Sequence, residues 1–248
     1  MNQVRLAATA SALSLLSLTA LTACGGSQDE GASPGGSPKA TASTPAPEEK
    51  PLTPEQRLAE LMVTAADVDG FTVQEPGDEF LFAESPEEVE LDRPDCAPLA
   101  YAMNQLPLGT PDADLTRVLS GDEGLNGAHT YITLTAYASG EGARSALADV
   151  RKAVQSCGEG FTAEAGGNTS AYDTVTAEEA TPGGDESIGF ASTMSFRGAD
   201  HTLHTGVVRS GDVVGVYFSV NGLAITKALP SDAKLPTAVV QAQNKKLG

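Results

Sequence analysis

Apolar residues recur along this chain with two different periods, and each change of period marks a change of element. From Glu141 onward, Ala143, Ala146, Leu147, Val150, Val154 and Cys157 follow one another at spacings of three and four, one stripe of an amphipathic helix. Thr53-Pro54-Glu55 supplies a cap, a proline suited to a first turn and an acid, and Leu58, Leu61 and Met62 continue at helical spacing. That pattern predicts a helix ending before Asp69-Gly70. A shorter helix is expected from Ala97 to Leu106, and a weakly amphipathic one from about Leu235 to Lys246.

Elsewhere the period falls to two. From Thr130 to Tyr137 the even positions are aliphatic and the odd ones Thr or Tyr, which predicts a strand with one buried and one amphipathic face. Ser187 to Arg197 sets Ile188, Phe190, Met194 and Phe196 on one side. His201 to Arg209 and Val213 to Val220 flank Ser210-Gly211-Asp212 as a hairpin, while Phe161 to Ala165 and Tyr172 to Ala177 add two strands. Helices and strands, one crossover helix and then consecutive strands favour an α+β single domain, with a mainly antiparallel sheet and its helices packed on one face.

The amino-terminal stretch follows a different logic. A basic start ending at Arg5 leads into a small-residue apolar run from Leu6 to Leu21, which reads as an export signal. Leu21-Thr22-Ala23-Cys24, followed by Gly25-Gly26, resembles the bacterial lipoprotein lipobox. The resemblance implies that residues 1–23 are removed and that Cys24 carries diacylglycerol, with acyl chains of the palmitate class. Two or three such chains, at about 0.8 kcal/mol per buried CH₂, hold a protein on a membrane. The alternative is an ordinary secretory signal with an incidental cysteine, since Ala23 also suits that cleavage. Residues 24–51 then form a tether: from Gly25 to Lys50, 19 of 26 residues are Gly, Ser, Pro, Ala or Thr, too few apolar groups to bury a core. Its reach as a flexible chain is roughly 30 Å. Residues 52–248 constitute the folded domain.

With Cys24 assigned to lipid, Cys96 and Cys157 remain, and an exported chain most economically joins them. Cys157 lies on the apolar stripe of its helix and so points inward, toward where Cys96 can meet it. A catalytic or metal-binding thiol is the alternative, but there is no C-x-x-C and no histidine near either cysteine in sequence.

Charge and motifs narrow the functional classes. With 15 basic and 33 acidic residues the net charge is -18, and loss of Arg5 with the signal takes it to -19. Such a chain repels phosphate backbones, so no nucleic-acid partner is expected. No G-x-S-x-G elbow, Walker loop or dinucleotide turn occurs. His201 and His204 are three apart, which on a strand turns them to opposite faces, so they read as surface or hairpin-flank histidines and not as a metal pair; His129 is isolated at a strand start. Asp67-Val68-Asp69-Gly70 lacks the carboxylates a calcium loop needs at its first and twelfth positions, occupied by Ala65 and Pro76. The acidic stretches at Glu84 to Asp95 and Glu178-Glu179 read as solvated surface. No metal, cofactor or catalytic set is expected, and the chain is read as a non-enzyme.

A family resemblance sharpens this picture. Asp67-Val68-Asp69-Gly70-Phe71 leading into a strand, the helix start Asp95-Cys96-Ala97-Pro98-Leu99, the crossover helix ending in Cys157, and Gly184-Asp185-Glu186 before a long strand resemble actinobacterial lipoproteins related to the PknH-like extracellular sensor domain of receptor kinases. The resemblance spans about residues 52–247 and implies a curved sheet framing a cleft, with a ligand-sensing role. This chain carries one candidate disulfide where that domain has two, and no kinase segment. The expectation is a noncatalytic binding or sensor module anchored through Cys24 on the extracytoplasmic face of the cell membrane. Tyr131, Thr133, Thr135 and Tyr137 would line the cleft for a small amphipathic ligand. The alternatives are a structural or interaction protein that meets another envelope protein, and an envelope hydrolase with an unrecognised site.

Overall fold

The computed structural model describes residues 50–77, 82–121, 127–180 and 182–248, so the export signal, Cys24 and nearly all of the tether lie outside the described residues. Thr53 caps the first helix, α1 (Pro54–Leu61), in a reciprocal box: its hydroxyl accepts from the Gln56 amide, and the Gln56 side chain accepts from the Thr53 amide. The helix stops well before Asp69-Gly70. Strand β1 (Phe71–Gln74) follows, then β2 (Glu90–Leu91) and α2 (Ala97–Met103). Next come β3 (Ala113–Gly121), β4 (Ala128–Ala136) and the long α3 (Gly140–Ser156). A run of five strands succeeds it: β5 (Phe161–Ala165), β6 (Asn168–Glu178), β7 (Glu186–Phe196), β8 (Ala199–Ser210) and β9 (Val213–Asn221). The chain closes with α4 (Gly222–Lys227), β10 (Ser231–Ala233) and α5 (Thr237–Leu247).

All strands join one open sheet in the order β1-β3-β4-β9-β8-β7-β6-β5-β2. Each pairing along that path is antiparallel. Among the described residues only β10 runs parallel to its neighbour, pairing Ser231–Ala233 with His201–Leu203 of β8. The α+β class and the antiparallel sheet are those the sequence indicates. The helices, however, divide between both faces. Val214, Val216 and Phe218 join α2 and α3 in one core, whereas Ile132, Leu134, Val213 and Tyr217 join α1 and α5 in a second. The reason is in the central strands: β4 and β9 are buried on both sides, so each side needs a cover. The β4 strand therefore has no amphipathic outer face.

Two side chains fasten this arrangement. Gln243, fully buried on α5, accepts from the Val63 amide at 3.0 Å and donates to the Leu61 carbonyl at 2.7 Å, so it satisfies the end of α1. Arg93 donates to the carbonyls of Ser156 and Gly160, closing the end of α3. Beside it Cys96 and Cys157 form a disulfide whose Cα atoms are 6.0 Å apart. Gly160, at φ +83°, lets the chain pass so near β6 that an added Cβ would lie 2.1 Å from the Tyr172 carbonyl oxygen.

Candidate functional site

A groove lies along the outer side of β3. Glu75 and Pro76, Ala83 to Pro86, and Gln105 to Pro107 wall it, and Asp114 to Arg117 form its base, enclosing about 510 Å³. Gln105 follows α2 with φ 62°, the left-handed conformation that glycine adopts without cost. Its Oε1 is buried and makes no hydrogen bond. A strained backbone and an unsatisfied acceptor on one groove residue are both expenses that folding alone does not require.

Electrostatically the groove is negative. Arg117 is its cation, and it is already engaged, 3.3 Å from Glu75 and donating to the Thr116 carbonyl at 2.7 Å. Glu84 and Asp114 line it as well. Partial burial pushes the Asp114 carboxyl above the usual carboxylate range, although the side chain keeps access to solvent at the rim. Asp114 therefore gains from any cation placed beside it.

Of the four residues singled out from sequence, Thr133 and Thr135 pair with residues at the base of this groove, whereas Tyr131 and Tyr137 do not. Register sets Thr135 opposite Asp114 and Thr133 opposite Thr116, and the two threonine hydroxyls of the second pair lie 2.9 Å apart. All four are covered by the α2 and α3 layer: Tyr131 is 6% exposed, Thr133 2%, Thr135 0% and Tyr137 4%. Tyr131 stacks on Phe218, and the Thr135 hydroxyl has no hydrogen-bond partner. Tyr137 donates to the Leu108 carbonyl at 2.7 Å and borders a separate groove of about 390 Å³ at the start of α3. Desolvation raises its phenol far above the ordinary value. Thus the structure places Thr133 and Thr135 as backing for the β3 groove, and only Tyr137 at a groove surface.

His201 and His204 are buried, not superficial, and His129 is half-buried. His201 and His204 do turn to opposite faces of β8, as their spacing requires. His201 is 0% exposed and its Nδ1 lies 2.9 Å from the Ser231 hydroxyl, while Nε2 has no partner. His204 sits between two carboxylates, with Nδ1 2.7 Å from Glu178 and Nε2 2.5 Å from Asp232, and the Lys234 Nζ lies 2.9 Å from the same Nε2. Lys234 completes the cluster at 3.2 Å from Asp232. The expectation of surface histidines fails because β10, which the sequence pattern did not disclose, covers this end of β8. His129 pairs with the Ser120 hydroxyl. No histidine among the described residues is given both a carboxylate and a hydroxyl partner, and none lines the β3 groove. No metal-binding group of three His, Cys, Asp or Glu residues occurs among the described residues.

Gly184-Asp185-Glu186 has a structural purpose. Asp185 and Glu186 flank the buried guanidinium of Arg209 at 2.8 and 3.2 Å, and the Gly211 amide and Arg209 together hold the Asp185 carboxyl below the ordinary carboxylate range. Gly184, at φ +57°, passes against the Arg209 carbonyl where a Cβ would not fit.

Among solved structures, the chain is similar to the extracellular domain of PknH from Mycobacterium tuberculosis, with 15% identity over 80% of this chain and 96% of that one and a TM-score of 0.52. It also matches a putative uncharacterized protein, an Rv0999 ortholog from Mycobacterium smegmatis, at 12% identity over 77% and 91% of the two chains, with a TM-score of 0.35. No protein-family model and no curated protein matches the sequence. The first likeness establishes the fold, which the chain shares with that extracellular domain. Among the described residues no helix is long and apolar enough to cross a membrane.

Proposed function

Starting from the fold shared with an extracellular domain, we propose that this protein is a lipoprotein anchored through Cys24 on the extracytoplasmic face, which binds a ligand in the β3 groove and performs no chemistry of its own. The export signal and the Leu21-Thr22-Ala23-Cys24 pattern support the anchor. One observation carries the binding reading: Gln105 lines the groove with its Oε1 buried and unpartnered. A buried acceptor without a donor costs about 1–3 kcal/mol, a cost relieved when a ligand draws the Gln105 side chain out into the groove. The described lining holds carboxylates, hydroxyls, an amide and apolar groups but no histidine or cysteine, an inventory suited to holding a small amphipathic ligand.

Two measurements test the proposal. Mass spectrometry of Cys24 in the membrane fraction should find it diacylated, and an unmodified cysteine in the mature chain refutes the anchor. Amide and Gln side-chain resonances of the groove should shift on adding envelope extract, and a Gln105→Ala variant should lose that response. Unchanged groove resonances across fractionated extract would remove the binding reading.

A further inference from the structure

The groove has a second property that fixes the class of its occupant. On one side β3 pairs with β4 from Ala113 to Ser120, but on the other β1 covers it only from Val118 to Gly121. Among the described residues no strand pairs with the outer edge of β3 from Ala113 to Arg117, and this is the edge that the groove follows. The cause lies in the sequence: Glu75-Pro76-Gly77 succeeds β1, and proline has no N–H to continue a ladder. The Arg117 guanidinium donates to the Thr116 carbonyl, an N–H supplied by a side chain where a neighbouring strand would supply one from its backbone.

We propose that the groove binds an extended basic peptide, which adds to the sheet as a strand along Ala113–Arg117. This rests on the reading of the groove as a binding site and names its ligand. Backbone hydrogen bonds to an open edge supply affinity for any extended chain, and alternate side chains then meet the walls. At about 3.4 Å per residue the open stretch accepts roughly five residues. Charge selects among peptides. Glu75, Glu84 and Asp114 line the groove, and Arg117, the one cation of its described lining, is already paired. A lysine or arginine of the incoming strand neutralises Asp114, whose carboxyl partial burial holds above the usual range. An acidic peptide would meet like charge on every side.

The test uses the mature full-length protein and fluorescently tagged acetyl-Lys-Val-Lys-Val-Lys-amide, with three relatives: the Glu-Val-Glu-Val-Glu peptide, a lysine peptide methylated at alternate backbone nitrogens, and n-hexylammonium. Anisotropy should show the lysine peptide binding at least about tenfold more tightly than the glutamate one and than the methylated one. Amide exchange at Asp114 to Arg117 should slow when it binds. Asp114→Asn should weaken binding severalfold, with unchanged thermal melting showing that the variant is folded. Equal binding of the methylated peptide overturns strand addition, and equal or tighter binding of the glutamate peptide overturns the charge selection. If only hexylammonium shifts the groove resonances, the groove stands and the peptide class falls. If neither does, and envelope extract is equally silent, both readings fall.

Discussion

Removing the Cys96–Cys157 link offers the most direct test of how this domain is held. The two sulfurs are fully buried and 61 residues apart, and they join the turn that precedes α2 to the end of α3. Closing a loop of that length removes about 14 cal/mol/K from the unfolded chain, or about 4 kcal/mol at 25 °C. Domains are typically stable by only about 5–15 kcal/mol, so the loss is a large share of the total. Native packing should change little, because Arg93 still bridges Ser156 and Gly160 at the same junction. The double variant Cys96→Ala/Cys157→Ala avoids leaving buried polar groups. Its urea midpoint should fall by about 2 M, with a larger m-value because the unfolded chain expands. A midpoint within about 0.5 M of the parent and an unchanged m-value would refute the reasoning. So would full thiol labelling of Cys96 or Cys157 in native, unreduced protein.

Three further outcomes follow from particular contacts. Gln243→Leu strands the Val63 amide and the Leu61 carbonyl together and should cost about 2–5 kcal/mol in chemical denaturation, whereas a change below 1 kcal/mol would mean that water replaces the amide. Gly160→Ala combines a positive φ with backbone overlap at Tyr172 and should destabilise by more than about 2 kcal/mol; a silent substitution would show that the β5–β6 approach can relax. The hydrogen bond from His204, aided by Lys234, holds the Asp232 carboxyl below its usual range. Its stabilisation is therefore present above the ordinary carboxylate pKa and lost as pH falls through the lowered one. Asp232→Asn should flatten that part of the acid limb of a stability–pH curve, and identical limbs in variant and parent would count against the cluster.

What the sequence disclosed and what it concealed follow from how far each feature depends on distant residues. The α3 stripe needs only its own period, and Ala143, Ala146, Leu147 and Val150 are all buried as that period demands. The hairpin of β8 and β9 was legible for the same reason. Strand β3 was not: Asp114 and Arg117 interrupt its alternation, and its identity as a strand comes from eight residues paired with β4. Both β10 and α4 are too short to display a period. The helix layer on the second face was hidden because Tyr131, Thr133 and Thr135 look amphipathic in isolation and are buried only once α2 and α3 arrive. The groove was the least legible feature, since the two connections that wall it, β1 to β2 and α2 to β3, have no periodicity. Its one local sign is Gln105, a residue in the left-handed region at a position where glycine is the usual choice.

The fastening of α1 also bears on how this domain would carry mechanical load. Tension applied at Lys50 reaches α1 first, and α1 is tied at three separated points: Arg57 to Asp212 in the β8–β9 turn, Leu58 in the core, and the helix end gripped by Gln243. Force therefore enters at the middle of the sheet and at the last helix, not at its weakest margin. A pull applied there loads the core without peeling β1 away from β3.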